Sequence, residues 1–257
     1  MDSRAVLRTA RTGAGETAVT ELRSQAPQIL RTTGHDESGI EVHLMGGAAG
    51  PLGGDDWDLR IDVGDGSAVR LRSVAATLAQ PDPRYRESRS RVQVTVGAGA
   101  QLDAWCEPVI SVGRSRHRLE VAIDVAMDAR FRWVDEIRWG RHDEEGGEIT
   151  LAQRVTVAGA VLAMQRVEIG PDAPRRGFGA QGDGRLVVTA VGDHGGGSDS
   201  IVDTGVRAVR CDLGNGWASW SALGSDRERL HHALRDLGLG EPTRHGWVPP
   251  RSRELVR

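Results

Sequence analysis

Val63-Gly64-Asp65-Gly66-Ser67-Ala68-Val69, Val96-Gly97-Ala98-Gly99-Ala100-Gln101-Leu102 and Val125-Ala126-Met127-Asp128-Ala129-Arg130-Phe131 are three versions of one short phrase. Each closes a run of alternating apolar and polar residues, passes through a turn of small residues, and opens another run. Glycine suits such a turn because it tolerates positive φ and close backbone approach. The phrases recur at about 30 residues, a period at which stacked supersecondary repeats are expected. Turns of a degenerate β-meander would leave a similar pattern, so both architectures stay open. Outside the phrases, period-two alternation continues in Val92–Val96, Leu119–Val125 and Leu186–Val191, the mark of strands with one wet face. The fold class expected is therefore mainly β: a layered or β-helix-like arrangement of many short strands, with one or two short helices near the C-terminus.

The best helix signal runs from Ser225 to Leu237. Ser225 and Glu228 have capping-box spacing, Leu230, Ala233, Leu234 and Leu237 share one face, and Gly238 and Gly240 follow as stops. Gly192 to Ser200 reads as a loop. Residues 241–257 carry three prolines and several arginines with little apolar period, and read as a loosely packed tail. The remainder, residues 1–240, reads as one β-rich domain.

Composition removes several functions. The 257 residues carry 33 basic and 36 acidic side chains, a formal charge of −3, so no global field favours nucleic acid or an anionic membrane. Every basic residue is arginine. Without lysine there is no Walker-type phosphate loop and no Schiff-base chemistry, since both need an amine. Cys106 and Cys211 stand far apart, forming neither a disulfide framework nor a CxxC motif, which suits a reducing cytoplasm. Met1-Asp2-Ser3-Arg4 leads into an Arg- and Thr-rich segment, and no run approaches the roughly 20 apolar residues of a membrane span.

Candidate chemistry is sparse. His231 and His232 are neighbours on the expected helix, where adjacent side chains diverge too far to share one metal. Gly140 to Glu148 gathers His142, Asp143, Glu144 and Glu145, a loose divalent-cation set, though a solvated hairpin loop is the better reading. Gly64-x-Gly66 and Gly97-x-Gly99 lack the third glycine and the helix of a dinucleotide fingerprint. Cys106 lies in an apolar strand-like stretch and reads as a buried, inert thiol. Of seven tryptophans, Trp105, Trp133 and Trp139 read as core; Trp217, Trp220 and Trp247 are weak interface candidates.

Several segments in order resemble the UreD family of urease accessory proteins. Gly15-Glu16-Thr17 with Gln25-Ala26-Pro27 is similar to the family's opening strand pair. The glycine-dense Gly46 to Gly50 precedes Gly53-Gly54-Asp55, which matches its GGD turn, and Ser73-Val74-Ala75-Ala76-Thr77 matches its strand ending in A-A-T. Ala129-Arg130-Phe131 through Asp135 to Gly140-Arg141 resembles its A-R-F strand and closing G-R. Glu107-Pro108-Val109 departs from the pattern, standing where Gln-Glu-Thr is usual.

That resemblance implies a non-catalytic, β-helix-like scaffold in urease maturation, with UreF, UreG and the urease apoprotein subunits as partners. It implies no permanently bound cofactor, but transient nickel on a route through the protein, lined by oxygen ligands that hold the cation weakly enough to release it. Asp55, Glu107 and Asp135 are the acidic residues nearest the family motifs and are the candidates for that route. The alternatives are a metal-dependent hydrolase on a β-solenoid scaffold, or a β-sheet interaction module without a metal role.

Overall fold

In the computed structural model, which describes residues 1–171, 185–193, 199–203 and 205–240, the three look-alike phrases become three stacked corners. Gly97 N donates to Val63 O at 2.9 Å, Ala126 N to Val96 O at 2.9 Å, and Ala158 N to Val125 O at 2.8 Å. Each corner thus rests on the one before it. The strands on either side of a corner lie in different sheets, so the meander reading falls and the stacked-repeat reading stands.

The chain opens with two antiparallel hairpins, β1 (Asp2–Arg11) with β2 (Thr17–Arg23), and β3 (Gln28–Asp36) with β4 (Gly39–Gly46). It then winds through β5 (Asp56–Val63), β6 (Ala68–Ser73), β7 (Thr77–Ala79), β8 (Ser88–Val96), β9 (Gln101–Trp105), β10 (Val109–Ser111), β11 (Arg116–Val125), β12 (Arg130–Trp139) and β13 (Glu148–Val157). Strands β1, β5, β8, β11 and β13 are parallel neighbours in one sheet, and β4, β6, β9 and β12 in the other. Antiparallel β14 (Ala160–Ile169) continues the first sheet beyond β13. Strands β15 (Leu186–Asp193), β16 (Ser200–Asp203), β17 (Arg207–Gly214) and β18 (Trp217–Gly224) extend the second in the order β12-β15-β18-β17-β16.

Parallel, in-register coils stack like residues on like, and those ladders make the core. Leu7, Ile61, Val94, Ile123 and Val155 form one, all at most 2% exposed. Facing them, Val42, Leu71, Ala104 and Trp133 form another. Branched side chains predominate because they fill a pleated surface at little entropic cost. The corner glycines are needed where coils touch: a Cβ on Gly64 would stand 2.3 Å from Thr9 O.

A second apolar layer covers the outer face of the extended sheet. The helix α1 (Arg227–Asp236) lays Leu230, Ala233 and Leu234 against Val188, Ala190 and Trp220. Its cap is Asp226 and not Ser225, because the Asp226 carboxylate accepts from Arg229 N at 3.1 Å. Gly238 and Gly240, at φ +84° and +71°, end it. The proposed tail 241–257, Trp247 and most of the loop 192–200 lie outside the described residues; Gly192, Asp193 and Ser200 fall within β15 and β16. No helix among the described residues is long and apolar enough to cross a membrane.

Candidate functional site

Between the two sheets, small residues leave a cavity of about 350 Å³. Trp57, Ser90 and Leu119 line it from one sheet; Leu71, Ser73 and Trp133 line it from the other. Gly46, Ala48 to Gly50 and Ala75 to Thr77 supply a wall with almost no side-chain volume. At about 30 Å³ per water, the space holds roughly ten.

Its titratable side chains are those of Cys106, Glu107, His117 and Asp135. Asp135 sits on the inward face of β12, with Oδ2 accepting from Trp133 Nε1 at 2.9 Å and Gln153 Nε2 at 2.8 Å. Gln153 in turn accepts from Gln165 Nε2 at 2.5 Å, so the amides point their donors along one line toward the carboxylate. Burial pushes the Asp135 carboxyl up to about 7, against the pull of those hydrogen bonds. Among the described residues no arginine ion-pairs with it. Burial likewise pushes the thiol of the half-buried Cys106 up to about 12, Arg72 opposing, so the sulfur keeps its proton at pH 7. His117, held by Ser88 Oγ at 2.9 Å, is pushed by burial down to about 4 and is neutral at pH 7. Among the described residues the buried Trp57 Nε1–H has no hydrogen-bond partner.

Glu107 joins this cavity to the outer face. It follows β9, its backbone N–H donates to Ser73 Oγ at 2.8 Å, and its carboxylate accepts from Arg227 Nη1 of α1 at 2.9 Å. The other arm of Arg227 donates from Nε to Glu136 Oε2 at 2.8 Å, while Trp105 Nε1 lies 2.6 Å and His231 Nε2 2.7 Å from Glu136 Oε1. Burial drives the Glu136 carboxyl up, yet the hydrogen bonds from His231, Arg227 and Trp105 more than offset it and hold it below the usual range. Beside this cluster Asp103 is gripped by Arg132 and Arg72; both cations outweigh its desolvation and keep it ionised.

Of the three acidic residues named from sequence, the structure brings Glu107 and Asp135 into one cavity. Asp55 is elsewhere. It accepts from Leu52 N at 2.9 Å and pairs with the α-amino group of Met1, which makes it part of the GGD turn. Trp217 and Trp220 are buried within the chain, at 6% and 2% exposure. Trp217 packs against Phe131, and Trp220 donates from Nε1 to Leu237 O at 2.9 Å, so both faces are spent internally. The 140–148 segment is a corner between β12 and β13, strands of different sheets, and not a hairpin. Among the described residues no three His, Cys, Asp or Glu side chains form a metal-holding group, there or in the cavity. His117, Gln153 and Trp57 were not singled out from sequence. The signal was present for two of them: His117 and Gln153 occupy inward positions of strands whose other inward residues, among them Leu119 and Val121 on β11 and Ile149 and Leu151 on β13, are apolar.

The family model described as UreD urease accessory protein matches residues 1–237. Similar proteins include the urease accessory protein UreD of Parafrankia sp. (strain EAN1pec), 41% identical over 155 residues, 60% of this chain. The match spans 52% of that relative's length. The urease accessory protein UreD 1 of Saccharopolyspora erythraea is 36% identical over 76% of this chain and 78% of its own. The UreD of Frankia alni is 35% identical over 89% of each. By the extent of the family match and the agreement of its relatives, this chain belongs to the UreD family of urease accessory proteins, a family of maturation factors and not of enzymes.

Proposed function

We propose that the chain serves urease maturation by passing nickel, as cargo, through the cavity between its sheets toward the urease apoprotein, in a cytoplasmic complex with UreF and UreG. The supporting observation is Asp135: a carboxylate inside a cavity, with Oδ2 tied by two neutral donors and no arginine partner among the described residues. An ionised carboxylate without a counter-cation is costly in a protein interior, and an arriving divalent cation removes that cost. Such a site attracts the cation without trapping it, because one carboxylate oxygen beside a thiol that keeps its proton is a weak ligand set for a borderline metal. A transit site has to release what it binds.

The test is urease activation in cells that express the apoprotein, the other accessory proteins and either the wild type or D135N. The variant is expected to be present at wild-type abundance, to be captured by the apoprotein as the wild type is, and to leave urease several-fold poorer in nickel. Wild-type nickel loading with D135N would overturn the reading.

A further inference from the structure

The Gly53-Gly54-Asp55 turn does not line the cavity; it carries a loop. A Cβ on Gly53 would stand 2.3 Å from Asp82 Cβ and 2.6 Å from Arg86 O, and one on Gly54 would stand 2.7 Å from the Arg86 guanidinium. The glycine pair is therefore what lets Asp82 to Arg86 lie directly on the turn. Gly54 N donates to Glu87 O at 3.2 Å, and Arg86 Nε donates to Asp82 Oδ2 at 2.5 Å. Pro81 and Pro83 restrict the loop further, since each ring fixes its own φ. On this base Tyr85 takes φ +54° and stands 49% exposed. The neighbouring corner of the stack, closed by Ser115 N donating to Val112 O at 2.9 Å, holds the exposed Arg114 at φ +64°. Its guanidinium carbon lies 4.9 Å from the centre of the Tyr85 ring, and Arg114 Nη2 donates to the Tyr85 hydroxyl.

We propose that Tyr85, Arg84 and Arg114 form a docking surface for an acidic segment of a partner protein, with the Gly53-Gly54-Asp55 turn and the two prolines as its rigid seat. This rests on the reading of the chain as a member of a urease maturation complex. Positive φ is strained for tyrosine and arginine and free for glycine, yet both residues hold it on the surface, where the fold gains no core packing from them. Tyrosine and arginine are also the types that anchor protein interfaces. Charge selects the partner. Arg86 is neutralised by Asp82, whereas Arg84 and Arg114 pair with no carboxylate among the described residues, so the patch is positive in a chain of formal charge −3. Carboxylates of the incoming segment meet these two arginines, and its apolar groups cover Tyr85 and Leu52, the latter 46% exposed on the turn beneath. Because glycine contacts and prolines fix the loop beforehand, little conformational freedom is lost on binding. A nucleic acid fits less well, since a duplex footprint uses roughly six to ten phosphate contacts and this patch offers two free arginines.

The experiment measures binding of the full-length protein to purified UreF, UreG and urease apoprotein, each immobilised in turn at about 150 mM NaCl, for wild type, Y85G and R84Q/R114Q. Thermal melts accompany each variant. Glycine relieves the positive φ, so the Tm of Y85G is expected to match or exceed that of wild type, while its affinity for at least one of the three falls about tenfold or more. R84Q/R114Q should lose affinity for the same partner with its Tm unchanged, and its remaining binding should depend less on salt than that of wild type. If Y85G melts below wild type, R84Q/R114Q decides alone. Binding unchanged in R84Q/R114Q overturns the proposal and leaves the maturation complex standing, as does binding unchanged in a Y85G that melts as expected. Failure of the wild type to bind any of the three removes the complex and the proposal together. A single-stranded DNA of about 20 nucleotides serves as the second probe; wild-type binding to it that either variant loses overturns the proposal in favour of a nucleic acid.

Discussion

Replacing Asp135 by asparagine should stabilise the protein, and by an amount that grows with pH. Asparagine keeps the shape and can accept from Trp133 and Gln153, so the substitution removes mainly the charge. A carboxyl that titrates near 3.8 in the unfolded chain does so at about 7 in the fold. Each tenfold change in proton affinity is worth about 1.4 kcal/mol, so ionising Asp135 in place costs the fold on the order of 4 kcal/mol. The sign follows from proton counting. Below the unfolded value both states hold the proton and nothing is lost. Between that value and about 7 the unfolded chain releases its proton while the fold retains it, and stability falls as pH rises. Above about 7 the loss is complete.

His117 runs the other way in almost the same window. Burial holds it at about 4 against the ordinary 6.5, so the unfolded chain takes up a proton first as pH falls, and stability rises with pH across that interval. The two slopes offset in the wild type, and only the difference between wild type and D135N isolates the carboxylate. Urea unfolding followed by tryptophan fluorescence at about pH 5 and about pH 8 should show the advantage of D135N growing by about 2–3 kcal/mol. An advantage constant within about 1 kcal/mol over that range would mean that the carboxyl is not held neutral by burial, and the argument from Asp135 would fail with it.

Gly64→Ala should cost about 2 kcal/mol or more, since its Cβ meets a backbone carbonyl; Gly13→Ala, with nothing within 4 Å, should be near neutral in the same thermal melt. Ile61→Ala opens a void in the central ladder and should lose about 2–5 kcal/mol by urea titration. Iodoacetamide at mildly alkaline pH should label the exposed Cys211 in the native protein and leave Cys106, whose thiol is pushed up to about 12, for the denatured one; equal labelling of both would contradict the burial. Trp220→Phe removes the hydrogen bond to Leu237 O and should speed amide exchange in α1 by about fivefold to tenfold, with the β-coils unaffected.

Much of the coil architecture was legible because its periodicity is local. The turn phrases ending at Val69, Leu102 and Phe131 mark the corners, and alternation marks the strands between them. The helix was legible to within a residue of its cap, which went to Asp226 because an aspartate one position on competes directly with Ser225 for the same orphan amides. The site was less legible because its parts are far apart in sequence. Asp135 and Glu107 stand close to family motifs in the sequence, and so does Asp55, which belongs to a turn. Arg227 lies 120 residues from Glu107, and no spacing rule connects them. Trp217 and Trp220 stand as interface candidates in the sequence because it does not show that Phe131 packs on the first and that α1 covers the second.

The family motifs themselves take on a different meaning once placed. Gly46 to Gly50 and Ser73 to Thr77 contribute no charged side chain, and by their chemistry alone would be set aside as turns. In the fold, residues of both segments stand side by side along the cavity. Elsewhere the interior ladders are built mainly of leucine, isoleucine and valine, and an interior of such residues packs closely unless something prevents it. Small residues at these positions prevent it. Substituting valine for Ala76 tests this: the added methyls go into space the fold leaves open, so stability should change by less than about 1 kcal/mol where a filled core would lose 1–3. If the cavity serves passage, the same substitution should lower urease activation without lowering the abundance of the protein. A loss of stability instead would mean that the small residues are there for close packing, and that the signature describes a turn and not an opening.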